Sequence, residues 1–254
     1  MEPFFSELAH KTVIVTGGSK GIGKDIAITF AKLNANVVIS GRDKVALDET
    51  LGELHVFNDQ CIAVQGDLSD IKAVKDLIET AATKFGAVDV LVNNAGVNIA
   101  KPALEVTEQD WDTVLDLNLK SAFFASQAAA KYMLAQKSGK IINIASQMAF
   151  VGYYKRAAYC SSKGGLVQMT KALAVEWAKH GIKVNAVAPT FIETELTAKM
   201  FEDIDFKQDV ENRILLEGLS KAEDISGAVL YLASDLANFV TGETIKVDGG
   251  WTAI

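Results

Sequence analysis

The sequence contains few of the residues from which metal sites and disulfide frameworks are built. Its 254 residues include two cysteines, Cys61 and Cys160, and three histidines that lie far apart in the chain. Two cysteines are too few for a disulfide framework or a zinc site, and the scattered histidines show no ligand spacing. The sequence therefore predicts a protein that binds no metal.

Proline and basic charge are also scarce. With only 3 prolines, 19 glycines and 49% hydrophobic residues, the composition indicates a folded core rather than a disordered or linker-rich chain. The formal net charge is −7, and no run of lysine or arginine supplies the basic patch that nucleic-acid binding requires. Nucleic acid is therefore not an expected partner.

Long apolar runs are absent as well. No stretch of about 18 uncharged apolar residues is available to span a bilayer. Residues 1–7 have neither the basic start nor the apolar stretch of a signal peptide. We therefore expect a cytoplasmic protein with no membrane partner.

Short apolar runs alternate with longer amphipathic segments along most of the chain. The runs are nearly continuous in apolar character, as expected for strands buried on both faces of a parallel sheet. The predicted strands are 12–16, 36–40, 61–65, 88–92, 140–145, 183–188 and 243–247, and the predicted helices are 22–33, 44–57, 71–85, 108–136, 157–180 and 222–233. This pattern predicts a single-domain, Rossmann-type α/β fold, a doubly wound parallel sheet of about seven strands with helices on both faces.

Loop residues support these boundaries. Thr107 is predicted to begin a capping box, and Ser69 is the expected N-cap of the helix that follows it. Glycines 86, 139 and 181 stand where helices give way to strands, a position that favours left-handed backbone. The irregular stretch 191–219 is expected to form a substrate lid over the strand ends, the alternative being an ordinary helical insertion.

A glycine-rich turn separates the first predicted strand from the first predicted helix. Residues 16–23 read TGGSKGIG, so the glycine spacing is G-x-x-x-G-x-G. Such glycines permit a tight turn and a close approach of the backbone to a pyrophosphate at a helix N-terminus. Because the turn lies between a strand and a helix, it predicts a dinucleotide-binding site.

The end of the second predicted strand bears on the choice of dinucleotide. An acidic residue here would accept hydrogen bonds from the adenosine ribose and repel a 2′-phosphate. Gly41 holds that position, Arg42 follows it, and Lys20 lies in the glycine turn. Two cations without an anion favour NADP(H) over NAD(H). The alternative is that both are solvated surface cations.

Tyr159 and Lys163 are four residues apart in a predicted helix and therefore share one face. A free phenol titrates near pH 10, and a neighbouring ammonium lowers its pKa toward the range of an acid–base catalyst. Such pairs are common on helix surfaces. Ser146 and the segment 93–96 each lie at the end of a predicted buried strand. They favour a catalytic role for the Tyr159–Lys163 pair, because ligands of open α/β sheets bind at that edge.

Together these features resemble the short-chain dehydrogenase/reductase family in its compact branch, over essentially the whole chain. The resemblance rests on the turn 16–23, Asp67, the NNAG segment 93–96, Asn118, Ser146, Tyr159, Lys163, Pro189 and the VDGG segment 247–250. It implies hydride transfer between a nicotinamide and a secondary alcohol or ketone, without a metal. It also implies a catalytic tetrad of Asn118, Ser146, Tyr159 and Lys163.

The resemblance assigns a role to each member of this tetrad. Tyr159 would exchange the proton of the substrate oxygen, and Ser146 would hydrogen-bond that oxygen. Lys163 would hold the nicotinamide ribose and, with the positive charge of the oxidised nicotinamide, lower the pKa of Tyr159. Asn118 would support a water that relays protons from Lys163 to solvent. The implied cofactor residues are Gly17, Ser19, Lys20, Gly21, Ile22, Gly23, Arg42, Asp67, Leu68, Asn94, Ala95, Gly96, Tyr159, Lys163, Pro189, Ile192 and Thr194.

One position departs from the family pattern. The family usually has a glycine after the proline that ends the sixth strand, whereas Thr190 follows Pro189 here. Threonine does not readily take a positive φ, so the backbone near Ile192 is expected to differ.

The substrate cleft is expected to contain Ser146, Gln147, Asn98 and Tyr153. Arg156 either pairs with a substrate carboxylate or is a surface cation. Segments 176–180 and 241–251 resemble those of family members acting on sugar acids and polyols, such as gluconate and deoxygluconate dehydrogenases. The alternatives are a 3-oxoacyl-thioester reductase and a catalytically silent NADP(H)-sensing protein. The resemblance also implies a homotetramer that uses helices 108–136 and 157–180 as an interface.

Overall fold

Seven parallel strands form one sheet in a computed structural model that describes residues 5–192, 197 and 200–253. The order of the strands is β3-β2-β1-β4-β5-β6-β7. Their bounds are β1 Thr12–Val15, β2 Asn36–Gly41, β3 Ile62–Gln65, β4 Val90–Asn93, β5 Gly139–Ile144, β6 Ile182–Pro189 and β7 Thr244–Val247. The predicted parallel sheet is confirmed, and each predicted strand is present.

The helices follow the predicted alternation. Their bounds are α1 Gly21–Lys32, α2 Lys44–His55, α3 Ile71–Phe85, α4 Glu108–Leu115, α5 Ser121–Gln136, α6 Ala157–Trp177, α7 Ile204–Arg213 and α8 Ala222–Ala233. A π-helical turn, Asp116–Lys120, joins α4 to α5, so the predicted helix 108–136 changes its hydrogen-bond register around Asn118. Within the described ranges, no helix is both long and apolar enough to cross a membrane.

Two apolar cores lie on opposite faces of the sheet because successive strand residues point to opposite sides. Val13 and Val15 pack into the core that contains Phe30 of α1, Leu54 of α2 and Leu232 of α8. Ile14 packs into the other core, with side chains from α3, α5 and α6, among them Ile78, Met133 and Leu173. The helices therefore cover both faces, as predicted.

The order of the strands reverses between β1 and β4, which are neighbours in the sheet. From β1 the chain continues outward to β2 and β3, whereas from β4 it continues in the opposite direction to β5, β6 and β7. The loops after β1 and β4 diverge at this point and leave a crevice at the carboxyl edge of the sheet. Ser146 and Thr190, which follow β5 and β6, lie at the same edge.

The predicted helix ends are confirmed only in part. Thr107 and Asp110 form the predicted capping box of α4. Ser69 was the wrong N-cap, because Asp70 caps α3 by accepting a hydrogen bond from the Lys72 N–H at 2.8 Å. Glycines 86 and 181 have the predicted left-handed backbone, but Gly139 belongs to β5, and Lys137 ends α5 with a φ of 55°.

Candidate active site

The glycine turn between β1 and α1 is crowded by backbone. Gly17 has a φ of +65°, and a Cβ at Gly23 would lie 2.3 Å from the Gly17 carbonyl oxygen and 2.4 Å from Asn94 Nδ2. Any larger residue at position 23 would therefore push the turn away from the start of α1. No side chain caps that end of α1, where Lys20 is the N-cap residue. Its first N–H groups are left to an external anion, as a bound pyrophosphate requires.

Thr16 and Asn94 brace this turn against the loop that follows β4. Thr16 Oγ1 accepts hydrogen bonds from the N–H groups of Asn94 and Ala95 at 2.9 and 3.0 Å. Asn94 Nδ2 donates to the Thr16 and Gly17 carbonyls at 2.9 and 3.0 Å. Both amide hydrogens of Asn94 therefore bond to the backbone of the turn. This side chain holds the turn in place, and its amide group is not available as a donor to a cofactor.

A carboxylate, Asp43, lies beside one of the two expected cations, contrary to the expectation of two cations and no anion. Asp43 caps α2 by accepting from the Ala46 N–H at 3.2 Å, and it also accepts from Lys20 Nζ at 3.0 Å. These hydrogen bonds lower the pKa of Asp43, the one from Ala46 most. Both cations are exposed, but Lys20 is paired with Asp43, whereas the Arg42 side chain makes no hydrogen bond or ion pair with a described residue.

Asp67 and Leu68 follow β3 at the same end of the sheet. Asp67 Oδ1 accepts from the Ser69 N–H at 3.0 Å and from Ser69 Oγ at 2.9 Å. The hydrogen bond from the Ser69 N–H is the main cause that lowers the pKa of Asp67, and the charge of Arg42 acts in the same direction. Leu68 is buried in the core. Asp67 therefore closes a turn with one oxygen and exposes the other.

Tyr159 and Lys163 lie on the first two turns of α6. Lys163 Nζ donates to the Ile144 carbonyl at 2.6 Å and lies 5.8 Å from the centre of the Tyr159 ring. Burial lowers the pKa of Lys163 to about 8. Burial also raises the pKa of Tyr159, against the opposing effects of the Ser146 hydroxyl and the Arg156 charge. In the protein without a nicotinamide, burial outweighs the Ser146 hydroxyl and the Arg156 charge. The expectation that Lys163 and an oxidised nicotinamide together lower the pKa of Tyr159 stays a prediction.

Ser146 lies two residues after the end of β5, and its hydroxyl makes two hydrogen bonds within the protein. It donates to Gln147 Oε1 at 2.9 Å and accepts from the Met148 N–H at 3.2 Å, in a short 3₁₀ turn. Gln147 is almost fully buried. A substrate oxygen at this point would therefore take the Ser146 proton from Gln147.

Asn118 is buried in the π-helical turn and ties three segments together. Its Oδ1 accepts from the Val97 N–H at 2.7 Å, and its Nδ2 donates to the Val97 carbonyl at 2.9 Å and to Ser162 Oγ at 3.0 Å. Ser162 in turn donates to the Tyr159 carbonyl at 2.8 Å. A Cβ at Gly96 would lie 3.1 Å from Asn118 Oδ1 and 3.6 Å from Lys163 Nζ. Asn118 thus holds the loop after β4 against the turn of α6 that carries Tyr159.

The segment after β6 departs from the family pattern without strain. Thr190 is absent from the residues with positive φ, and its N–H donates to the Val247 carbonyl at 3.1 Å. Its buried Oγ1 has no hydrogen-bond partner among the described residues, so this polar group is available to a ligand. Ile192 is buried and forms a β-bridge with Ser220. Thr194 lies outside the described residues.

The expected substrate residues are not all free. Asn98 is exposed in the loop after β4. Tyr153 donates to Asp209 Oδ2 at 2.7 Å, and burial raises the pKa of this phenol well above its usual value. The ring of Tyr153 packs edge-on against Phe191, Phe206 and Trp251. Tyr153 therefore anchors the predicted lid to the loop after Ser146.

The comparisons with known proteins agree on one family. A family model described as short chain dehydrogenase matches residues 11–205. The chain is 39% identical to the 2-dehydro-3-deoxy-D-gluconate 5-dehydrogenase of Escherichia coli over 247 residues, which are 97% of each protein. The chain belongs to the short chain dehydrogenases.

Two further relatives show how far this likeness extends. A 3-oxoacyl-(acyl-carrier-protein) reductase of Staphylococcus aureus is 38% identical over 241 residues, 94% of this chain and 97% of that protein. The crystal structure of a putative 2-deoxy-D-gluconate 3-dehydrogenase from Agrobacterium tumefaciens with bound NADP has a TM-score of 0.89. It is 37% identical and covers 99% of this chain and 100% of its own. The protein is therefore an oxidoreductase of a family in which relatives of equal similarity differ in substrate.

Sequence reasoning missed the residues that hold the predicted lid of this short chain dehydrogenase. Arg213 Nε donates to both carboxylate oxygens of Asp209 at 3.0 Å, and its guanidinium lies 5.7 Å from the ring centres of Tyr153 and Trp251. Asp209 and Arg213 are four residues apart in the sequence, the spacing of a helical ion pair. That spacing was the available signal, but nothing in the sequence placed α7 beside Tyr153.

Proposed function

We propose that this short chain dehydrogenase transfers a hydride between NADP(H) and a sugar acid or closely related polyol. The observation that supports this proposal is the proximity of Tyr159 to Ser146 and Lys163, with Asn118 bonded to Ser162 of the same helix, at the carboxyl edge of the sheet. Open α/β sheets bind their ligands at that edge. The 2-dehydro-3-deoxy-D-gluconate 5-dehydrogenase of E. coli, which matches 97% of the chain, supports the substrate class.

The glycine turn is the proposed site of the dinucleotide. Gly17 and Gly23 leave no space for side chains, and the uncapped start of α1 suits a pyrophosphate. Ser19, Lys20, Gly21 and Ile22 complete this turn, while Ala95, Gly96, Pro189 and Ile192 border the nicotinamide end. The exposed Arg42 is the proposed partner of the 2′-phosphate, and the free oxygen of Asp67 that of the adenine. When bound, the nicotinamide supplies or accepts the hydride.

Tyr159 is the proposed acid in the direction of ketone reduction. Because its pKa is raised, the phenol is protonated at neutral pH and can donate its proton to the substrate oxygen. The Ser146 hydroxyl turns from Gln147 to the same oxygen and stabilises the developing alkoxide. Lys163, with a pKa of about 8, stays mostly protonated near neutral pH and keeps positive charge beside Tyr159. The donated proton stays on the product hydroxyl, and Tyr159 regains a proton from solvent through a water held near Asn118.

A second candidate function is the reduction of a 3-oxoacyl thioester. It is supported by the S. aureus reductase, which is 38% identical over nearly the whole chain. Such an enzyme binds an acidic carrier protein and needs a basic surface, whereas this chain has a net charge of −7. The sugar-acid proposal is therefore favoured.

The proposal includes a homotetramer built on the outer faces of α5 and α6. Leu119, Phe123, Phe124 and Met169 line an apolar groove on this surface. Light scattering after size exclusion tests the assembly, and a monomeric mass would refute it.

Oxidation of NADPH and NADH against a panel of compounds tests the function. The panel contains keto-sugar acids, ketoses, diketones and an acetoacetyl thioester. Turnover of a keto-sugar acid with NADPH is the expected result. Turnover of the thioester alone would establish the second candidate, and tight cofactor binding without any turnover would indicate a sensing protein.

A further inference from the structure

Arg156 is a buried cation for which the described residues supply no anion. It is the N-cap residue of α6, three positions before Tyr159, and only 7% of its surface is exposed. Among the described residues its guanidinium makes one hydrogen bond, from Nη1 to the carbonyl of the neighbouring Lys155 at 3.3 Å. It forms no ion pair with a described residue. Of the two interpretations of this residue, a surface cation is therefore wrong.

Burial without a counter-ion is unfavourable for a guanidinium. A buried charge normally has a carboxylate partner and several hydrogen bonds, because removing it from water costs more than a single weak contact returns. Accordingly, burial lowers the pKa of Arg156, although the group remains charged at neutral pH. The nearby carboxylate of Asp209 is already used by Tyr153 and by both contacts from Arg213. An anion from outside the chain would complete the site.

The position of Arg156 relates that anion to the reaction. Arg156 and Tyr159 lie on the same first turn of α6, and the Arg156 charge is close enough to lower the pKa of the Tyr159 phenol. The loop that leads to Arg156 begins directly after Ser146. The guanidinium therefore borders the place where the substrate oxygen meets Ser146 and Tyr159. Its planar fork of N–H donors matches the two oxygens of a carboxylate.

We propose that Arg156 binds the carboxylate of the sugar-acid substrate and so determines the preference of the enzyme for acids over uncharged sugars. This inference rests on the proposed function, since it requires that the substrate be an acid. It assigns Arg156 to substrate binding, and the proton remains with Tyr159.

The test compares an acid with its uncharged amide. Wild type and Arg156→Met are assayed by NADPH oxidation with the preferred keto-sugar acid of the panel and with the primary amide of the same acid. Removing a charge-assisted contact is expected to lower kcat/KM for the acid about 10- to 150-fold. For the amide, kcat/KM stays within about threefold. Arg156→Lys keeps the positive charge but lacks the paired N–H donors of a guanidinium. Its kcat/KM for the acid is expected to lie between those of wild type and Arg156→Met.

The controls separate binding from folding. Lys155→Gln removes an exposed positive charge from the adjacent residue and is expected to change neither substrate more than about twofold. NADPH binding, followed by fluorescence, shows whether Arg156→Met retains the fold. An equal loss on acid and amide, or a full acid activity in Arg156→Met, would overturn the assignment. If wild type reduces only the acyl thioester, the proposed function itself fails, before any variant is compared.

Discussion

Replacing Lys163 with methionine should change how the stability of the protein depends on pH. Burial lowers the pKa of Lys163 from 10.5 to about 8 in the folded protein. Between these two values the unfolded chain binds more protons than the folded one, so the free energy of unfolding rises with pH. From pH 7.5 to pH 9.5, a shift of this size contributes about 2 kcal/mol.

The wild-type profile alone does not isolate this contribution. Lys140, which donates to the Ser234 carbonyl and to Asn238, also has a pKa lowered to about 8 by burial, and it adds a rise of the same sign. Burial raises the pKa of Cys61, so the thiol loses its proton at a lower pH in the unfolded chain than in the folded protein. This contribution lowers the free energy of unfolding as the pH rises. The difference between wild type and Lys163→Met cancels both terms, because neither residue is altered.

Urea unfolding at pH 7.5, 8.5 and 9.5, at one protein concentration, measures this difference. The wild-type free energy of unfolding is expected to gain about 2 kcal/mol more than that of Lys163→Met over this range. Methionine fills a similar volume without a charge, so the variant should fold. Parallel profiles would show that Lys163 keeps an ordinary pKa in the folded protein and would refute the electrostatic reasoning for the site.

Three further changes test the rest of the site. Tyr159→Phe removes the proton donor and is expected to abolish nearly all turnover while NADPH binding persists; a near-normal kcat would refute the mechanism. Arg42→Ala should weaken NADPH binding about tenfold at low salt and leave NADH within about threefold, whereas Lys20→Ala, which removes a cation already paired with Asp43, should do less. Gly23→Ala should disrupt dinucleotide binding, because its Cβ would lie 2.3 Å from the Gly17 oxygen. Gly52→Ala, which has open space around it in α2, should retain binding. Equal affinities of the two variants in an NADPH titration would contradict this geometry.

The sheet was predictable because its strands are short and most of their residues are apolar. Parallel strands buried on both faces appear in the sequence as continuous apolar runs rather than as alternating apolar and polar residues. Loop residues then indicate where each strand ends. Helix ends were less certain, as Gly139 shows. Gly139 lies in β5, where a Cβ would come within 2.4 Å of the Met133 side chain. The left-handed residue at the end of α5 is Lys137 instead. The reason is a tertiary contact, which local sequence does not reveal.

The candidate site divides in the same way. The spacing of Tyr159 and Lys163 and the position of Ser146 could be derived from the chain, since they depend on one helix and one strand end. The partners of Lys20, Tyr153 and Asn94 could not, because each is 23 or more residues away: Asp43 for Lys20, Asp209 for Tyr153, and the glycine turn for Asn94. These long-range hydrogen bonds decide which polar groups remain free for ligands.

Polar groups without internal partners therefore carry more information about the ligand than the conspicuous motifs do. Asn94 and Tyr153 belong to segments that look functional, yet their hydrogen bonds are satisfied within the protein. Arg156 and the Thr190 hydroxyl are buried, and among the described residues the first has no anion and the second has no hydrogen-bond partner. Since unpaired buried groups are unfavourable, their presence near Tyr159 and β6 indicates that ligands complete them. The proposed tetrad accounts for the reaction, and these unpaired groups bear on the proposed substrate.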